Sequence, residues 1–207
     1  MKVIMINGSP HENGTTFRAL SEIEKALKEN GINSEIITIG NKNVVGCDVC
    51  GGCTKLGKCV KDDIVNTLIA KIEEADGLIV GSPVYYASLN GSLKALLDRL
   101  FFAKKSFSYK PAAAVAVARR AGTTATLDII NKYFMLNNMP IVTSQYWNMV
   151  FGSNGNQAEQ DEEGMQTMRI LGNNMAWLIK CINAGKEKGV LYPKEEKHVR
   201  TNFYKEL

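Results

Sequence analysis

Four of the chain's five cysteines lie within thirteen consecutive residues, at Cys47, Cys50, Cys53 and Cys59. Their spacing is C-x2-C-x2-C-x5-C, and the surrounding segment reads GCDVCGGCTKLGKCVKDD. Thiolates grouped in this way can ligate a metal or take part in redox chemistry. We expect a cytoplasmic protein, because the short apolar run at the N-terminus is too short for a signal-peptide core. Disulfides are rare in that compartment, so a metal-binding or catalytic role is favoured for these cysteines.

Three interpretations of the cysteines are open. A structural zinc ion needs four thiolates in a tetrahedron, usually from two cysteine pairs well apart in sequence, whereas three of these cysteines fall within seven residues. An iron–sulfur cluster is larger, and a tight glycine-rich loop can wrap it, as in ferredoxin-like C-x2-C-x2-C runs. In the third interpretation the cysteines stay reduced and hold no metal.

Two other segments have the composition of ligand-binding loops. The first, NGSPHENGTT (7–16), combines glycines with hydroxyls at the start of a helical pattern. Free amides at a helix N-terminus bind phosphate, although the same residues could simply cap the helix. The second, GSPVYYASLNGS (81–92), carries the adjacent Tyr85 and Tyr86. A flat aromatic ligand could stack on one of these tyrosines, or they could pack on the core or on a partner subunit.

Short apolar segments alternate along the chain with longer helical patterns. Strands are predicted at 2–6, 34–39, 77–82, 112–118 and 139–144, and helices at 15–30, 62–75, 90–103, 123–137 and 161–183. This alternation predicts a parallel sheet with helices on both faces. Ligands bind beyond the carboxyl ends of such strands, which is where both loops and the segment RRAGTT (119–124) fall.

The charge balance is only mildly basic. Lys plus Arg exceeds Asp plus Glu by 25 − 21 = 4, which is too little to indicate nucleic acid and suits an anionic small molecule. No segment approaches the roughly 20 apolar residues that span a bilayer. We therefore expect neither nucleic acid nor a membrane as a partner.

The motifs GSPHENGTT and GSPVYYASLNGSLKALLDR, followed by a small-residue strand that ends in a glycine-bearing loop, resemble the flavodoxin-like NADPH-dependent FMN reductases. The cysteine run resembles the iron–sulfur flavoprotein branch of that family. The resemblance covers roughly residues 1–182. It implies an α/β fold, a flavodoxin-like doubly wound sheet of five parallel strands in the order 2-1-3-4-5. The FMN-binding domain would be residues 1–183, including a cysteine loop at 46–61, and 184–207 would form a C-terminal tail.

The resemblance also implies binding residues for FMN in three loops. They are Ser9, His11, Asn13, Thr15 and Thr16 after strand one, Ser82, Pro83, Val84, Tyr85 and Tyr86 after strand three, and Arg119, Arg120, Gly122 and Thr123 after strand four. The first loop would hold the phosphate, the second the ribityl chain and isoalloxazine, and the third the pyrimidine edge. His11 stands where many family members have arginine, so it either supplies less positive charge to the phosphate or points to solvent.

These features predict an FMN-dependent oxidoreductase that moves electrons from NAD(P)H or a redox protein to a small acceptor. A four-iron, four-sulfur cluster on the four cysteines would exchange electrons with FMN singly. The alternative is a non-catalytic flavin electron carrier or redox sensor without a cluster. No residue is assigned as catalytic acid or base, because the chemistry belongs to the cofactor. Strand two is remote from the flavin strands, so a homo-oligomer, a dimer or tetramer, would have to bring one subunit's cluster to another's flavin.

Overall fold

The structure is a computed structural model and describes residues 1–103, 106–194, 196–197, 199, 201 and 203. The strands are β1 (Lys2–Asn7), β2 (Asn33–Thr38), β3 (Gly77–Tyr85), β4 (Ser88–Leu89), β5 (Ala112–Ala118) and β6 (Met149–Phe151). The helices are α1 (Thr15–Glu29), α2 (Gly52–Leu56), α3 (Ile64–Glu74), α4 (Gly91–Ala103), α5 (Thr123–Leu136), α6 (Gly155–Gln160) and α7 (Glu162–Glu187). Part of the predicted tail lies outside the described residues.

The five parallel strands pair in the order β2-β1-β3-β5-β6, and β4 adds a short antiparallel pairing to the end of β3. Counting the parallel strands alone, this is the predicted order 2-1-3-4-5. The central strands β1, β3 and β5 carry buried residues on both faces, as expected for a parallel sheet covered by helices on each side. In β5, AAAVAVA, all seven residues are buried. The predicted fold class is confirmed.

The fifth parallel strand lies later in the chain than predicted. Of the predicted segment 139–144, Ile141 makes an isolated bridge to Ala112, and the strand itself is formed by Met149–Phe151, opposite 116–118. The chain leaves the sheet between these two contacts, where Tyr146 and Trp147 are exposed. Val142 and Val150 pack in the same core, one before and one after this excursion. The apolar residues that indicate the fifth strand are therefore divided between two segments of the sequence.

Two layers of helices enclose the sheet. The packed core on one face contains buried side chains of α1 and α7, and the core on the other face contains those of α3, α4 and α5. In α1 the spacing of Leu20, Ile23 and Leu27 places all three side chains in the core, fully buried. Within the described residues, no helix is long and apolar enough to cross a membrane.

The contact between α1 and α7 sets the position of α1, and therefore of the loop that precedes it. Gly172 of α7 lies at this contact. A Cβ at residue 172 would be 2.7 Å from Ala26 Cβ and 3.0 Å from the Ile23 carbonyl oxygen. Glycine therefore allows the two helices to approach each other closely.

We expect Gly172→Ala to lower the free energy of unfolding by about 1–3 kcal/mol, because the added methyl group overpacks this contact. The matched control is Gly185→Ala in the same helix, where the nearest atom to the added Cβ is 3.7 Å away. The control should be neutral or raise the stability by about 0.5–1 kcal/mol, because alanine is the better helix former. Urea unfolding measures both, and equal effects of the two substitutions would contradict the assignment.

Candidate functional site

A cavity of about 900 Å³ opens at the carboxyl edge of the sheet, between the end of β3 and the loops that follow β1, β5 and β6. The predicted FMN-binding residues that line it are Ser9, His11, Asn13, Thr15, Thr16, Pro83, Val84, Tyr85 and Arg119. The structure thus brings residues from all three predicted loops together around one cavity. This volume is in the range of small-molecule and cofactor sites.

The other predicted binding residues lie next to the cavity and have different contacts. Ser82 is buried, and its Oγ accepts the Asn90 amide at 3.1 Å, which shapes the β3–β4 turn. Thr123 is buried and donates its hydroxyl to Met149 Sδ. Tyr86 is fully exposed at a positive φ of 55°.

Arg120 and Gly122 belong to the loop after β5. The Arg120 side chain is exposed. Gly122 has a φ of 86° and precedes the first residue of α5. A Cβ at residue 122 would be 2.8 Å from Val84 Cγ1, so the glycine lets this loop pack against the end of β3.

The turn after β1 is held rigidly. The Gly8 amide donates to the Gly81 carbonyl at 2.8 Å, which continues the β1–β3 pairing into the loop. A Cβ at residue 8 would be 2.8 Å from that carbonyl oxygen and 2.6 Å from Leu93 Cδ2, so only glycine fits. Asn7 Oδ1 accepts the Ser9 amide, and Ser9 Oγ accepts the His11 amide, both at 3.1 Å. These hydrogen bonds fix the direction in which the loop runs toward the start of α1.

The start of α1 has the features of an anion site. Its N-cap is Gly14, so neither Thr15 nor Thr16 is used as a cap, and the first amides keep the positive end of the helix dipole. The Thr16 side chain is 1% exposed, and its Oγ1 is buried with no hydrogen-bond partner among the described residues. A buried hydroxyl without a partner is costly, and a phosphate oxygen in the cavity would satisfy it. The site therefore fits the phosphate of FMN.

A fourth loop, after β6, also lines this cavity. It consists of Gly152, Ser153, Asn154 and Gly155 and was not among the residues assigned from sequence. The Thr15 hydroxyl donates to the Gly152 carbonyl at 3.4 Å, which ties this loop to the start of α1. From sequence the segment 145–157, rich in aromatic residues, is expected only to cover the flavin or a partner, because the fifth strand is placed too early and GSNG does not appear to follow a strand. Its glycines after the apolar Met149–Phe151 were the available signal.

The four clustered cysteines line a second, smaller cavity, together with Lys61, Arg99 and Phe102. Cys47 and Cys50 are exposed, Cys53 and Cys59 are partly buried, and all four are free thiols. Gly51 and Gly57, with φ of 71° and 67°, flank the single helical turn of α2 and fold the loop back on itself. Within the described part of the chain, no three ligating side chains converge as one metal ion would require. Four thiols around one cavity nevertheless have the residue type that ligates an iron–sulfur cluster.

Arg99 of α4 connects this cysteine loop to the core. Its side chain is only 1% exposed. Its Nε and Nη2 donate to Cys59 Sγ at 3.3 and 3.2 Å, and its Nη1 and Nη2 donate to the two carboxylate oxygens of Asp63 at 2.5 and 3.0 Å. The sequence predicts the helix, but not that this charged side chain on its apolar face is paired with residues 36 and 40 positions away.

The environment keeps this pair charged. Burial lowers the pKa of Arg99, but the hydrogen bonds to Asp63 and Cys59 outweigh it and the pKa is raised overall. Burial raises the pKa of Asp63, but the bonds from Arg99 and the Val65 amide outweigh it and the pKa is lowered overall. Asp63 also caps α3, since its Oδ1 accepts the Val65 amide at 3.0 Å. The Arg99–Asp63 ion pair therefore joins three elements: the cysteine loop, the N-terminus of α3, and the middle of α4.

Comparisons with known proteins show which family and fold the chain resembles. The family model for NADPH-dependent FMN reductases matches residues 1–154. An iron–sulfur flavoprotein of Methanocaldococcus jannaschii is 34% identical over 191 residues, covering 88% of this chain and 99% of that protein. An iron–sulfur flavoprotein of Methanosarcina thermophila is 30% identical over 194 residues, covering 91% and 100%. The structure of a flavodoxin from the domain Archaea superposes with a TM-score of 0.60 at 15% identity, covering 87% of this chain and 99% of that one, which supports the fold.

We expect Thr16→Val to weaken FMN binding roughly 10- to 150-fold, because a hydrogen bond to a charged group contributes about 1.5–3 kcal/mol. Titration of apo-protein with FMN, followed by quenching of flavin fluorescence, gives the dissociation constant. The control is Thr67→Val, an exposed threonine on α3, which should leave the constant unchanged. If Thr16→Val binds FMN as tightly as the wild type, the buried hydroxyl does not contact the phosphate.

Proposed function

The chain belongs to the NADPH-dependent FMN reductase family, and we propose that it is an FMN-dependent oxidoreductase of the iron–sulfur flavoprotein type. It takes electrons from NAD(P)H or a redox protein and delivers them to a small acceptor, using FMN and a four-iron, four-sulfur cluster. FMN, when bound, accepts two electrons as a hydride and can release them singly, and the cluster exchanges one electron at a time.

One observation carries this proposal. A single sheet edge holds both an anion cradle with an unpartnered buried hydroxyl, Thr16 Oγ1, and a loop whose four free thiols line one cavity. A plain flavin reductase needs the first feature and has no use for the second. The names of the two relatives aligned over nearly their whole length, both iron–sulfur flavoproteins, support the combination.

The residues around the large cavity bind and orient FMN. The first amides of α1 and the Thr16 hydroxyl donate to the phosphate, where the helix dipole favours negative charge. Arg119 adds positive charge at the end of β5, and Val84 and Tyr85 offer apolar surface to the flavin ring from the end of β3. Tyr85 remains 43% exposed, so a second substrate can approach from that side.

Cys47, Cys50, Cys53 and Cys59 hold the cluster. Their sulfurs supply the four thiolates that such a cluster needs. Lys61 and Arg99, which line the same cavity, offset the negative charge of those thiolates. A cytoplasmic location suits this assignment, because exposed cysteines stay reduced there.

We further propose that the protein is a homo-oligomer, a dimer or tetramer. In the described part of the chain the two cavities share no lining residue, so electrons would have to cross between them. Exposed apolar side chains surround the cysteine loop, namely Val45, Val49, Leu56, Val60 and Phe102. An apolar surface of this kind is typical of a subunit interface. A second subunit covering it would bring its own flavin to the cluster.

The oligomer has a direct test. Light scattering at micromolar concentration should give at least twice the chain mass of 22.8 kDa. Replacing Val49 and Leu56 with glutamate should reduce that mass, because both side chains are exposed in the single chain. A wild-type protein that has the monomer mass under anaerobic conditions with both cofactors bound would contradict the proposal.

The function is tested on protein purified and reconstituted anaerobically. We expect stoichiometric FMN and about four iron atoms per chain, with NADPH or NADH consumption in the presence of an artificial acceptor. The double variant Cys47→Ser, Cys50→Ser should lose iron and keep FMN. The control is Cys181→Ser, which removes an exposed cysteine of α7 outside the loop and should keep both cofactors.

Each remaining outcome has a defined meaning. Full FMN without iron in the wild type would identify a plain flavin reductase and overturn the cluster. If the protein binds both cofactors but does not consume NADPH or NADH, its electron donor is a redox protein. If the loaded protein also transfers electrons to no acceptor, it is a non-catalytic carrier.

A further inference from the structure

The Arg99 guanidinium joins the two ends of the cysteine loop. Its Nη1 donates to the Val45 carbonyl, before the first cysteine, and its Nη2 donates to the Lys61 carbonyl, after the last, both at 3.3 Å. The backbone on both sides of the four cysteines is thereby fixed to one side chain of α4. Lys61 adds a surface contact between the same two ends, since its Nζ donates to the Gly46 carbonyl at 2.9 Å.

Cys59 is held both by its backbone and by its sulfur. Its amide donates to Asn66 Oδ1 at 2.9 Å, and its carbonyl accepts from Asn66 Nδ2 at 3.0 Å. Its sulfur accepts two N–H groups of Arg99. The sulfur that would ligate the cluster therefore already has donors on one side, and its remaining lone pairs are left for a metal.

The charges around this sulfur have opposite effects. The positive charge of Arg99 lies in direct contact with Cys59, and the negative charge of Asp63 lies one residue further away, against the adjacent edge of the same guanidinium. Burial weakens dielectric screening, so both charges act strongly on a nearby redox centre. Hydrogen bonds to ligand sulfurs and nearby charge set the reduction potential of an iron–sulfur cluster.

We propose that Arg99 is a positioning residue for Cys59 and that the Arg99–Asp63 pair sets the reduction potential of the cluster. This inference rests on the proposed function. Arg99 stabilises the more negative, reduced cluster by two N–H···S bonds and by its charge, and Asp63 moderates that effect while holding the guanidinium in place. A pair that only stabilised the fold would have no reason to direct two donors at a thiol.

The test is the midpoint potential of the reconstituted cluster, measured by anaerobic redox titration with electron paramagnetic resonance. Arg99→Gln removes the positive charge and should lower the potential. Asp63→Asn removes the negative charge and should raise the midpoint potential. Asparagine still caps α3 well. We expect each substitution to change the reduction equilibrium at least tenfold, which is about 59 mV for a one-electron couple.

The control is Lys94→Gln, which removes one positive charge from the exposed side of the same helix and should leave the potential unchanged. Arg99→Lys keeps the charge without the forked donors and should give an intermediate potential. It also serves as the variant to measure if Arg99→Gln fails to fold.

Opposite shifts for Arg99→Gln and Asp63→Asn, or for Arg99→Lys and Asp63→Asn, support the inference. Shifts in the same direction, or no shift in a cluster that is present, would show a merely structural pair and overturn this inference alone. A wild-type protein that takes up no cluster would overturn the proposed function together with it.

Discussion

The rest of the structure depends on the parallel pairing of β1 with β2 on one side and β3 on the other. Parallel strands bring their carboxyl ends to the same edge, so the loops after β1, β2 and β3 must all lie there. The bond from the Gly8 amide to the Gly81 carbonyl carries this pairing one step beyond β1 and fixes the turn that leads into α1. Strand β1 packs against both helix layers. Its Ile4 and Ile6 side chains are buried on one face of the sheet, and Val3 and Met5 are buried on the other. The cradle at the start of α1 is therefore a consequence of the sheet.

Much of this could be predicted from local patterns. The strands 2–6, 77–82 and 112–118 are continuous apolar segments, and the structure has strands at all three. The fifth strand could not be placed, because its apolar residues are divided between Val142 and Val150 by an excursion that a pattern of period two does not anticipate. Because of that error, the loop at Gly152–Gly155 was not assigned to the 900 Å³ cavity that it lines. Arg99 illustrates a different limit. Its helix is evident from sequence, but its partners are brought to it only by the packing of α4 against the cysteine loop.

The cysteine loop combines local freedom with anchoring at its ends. Its glycines allow tight turns around α2, and Arg99 holds the backbone at both ends. Burying an arginine is costly unless its charge and its donors are all matched, and here a carboxylate, two carbonyls and a thiol share them. A loop held in this way keeps the backbone around its thiols in place. Cys47 and Cys50 are exposed on its outer side.

We propose that one chain holds both a two-electron and a one-electron centre. An anaerobic reductive titration of the fully loaded protein, followed by absorbance, counts the electrons that each chain accepts. We expect about three electrons per chain, two for FMN and one for the cluster. An end point at two electrons per chain, in protein that contains stoichiometric FMN and iron, would refute this.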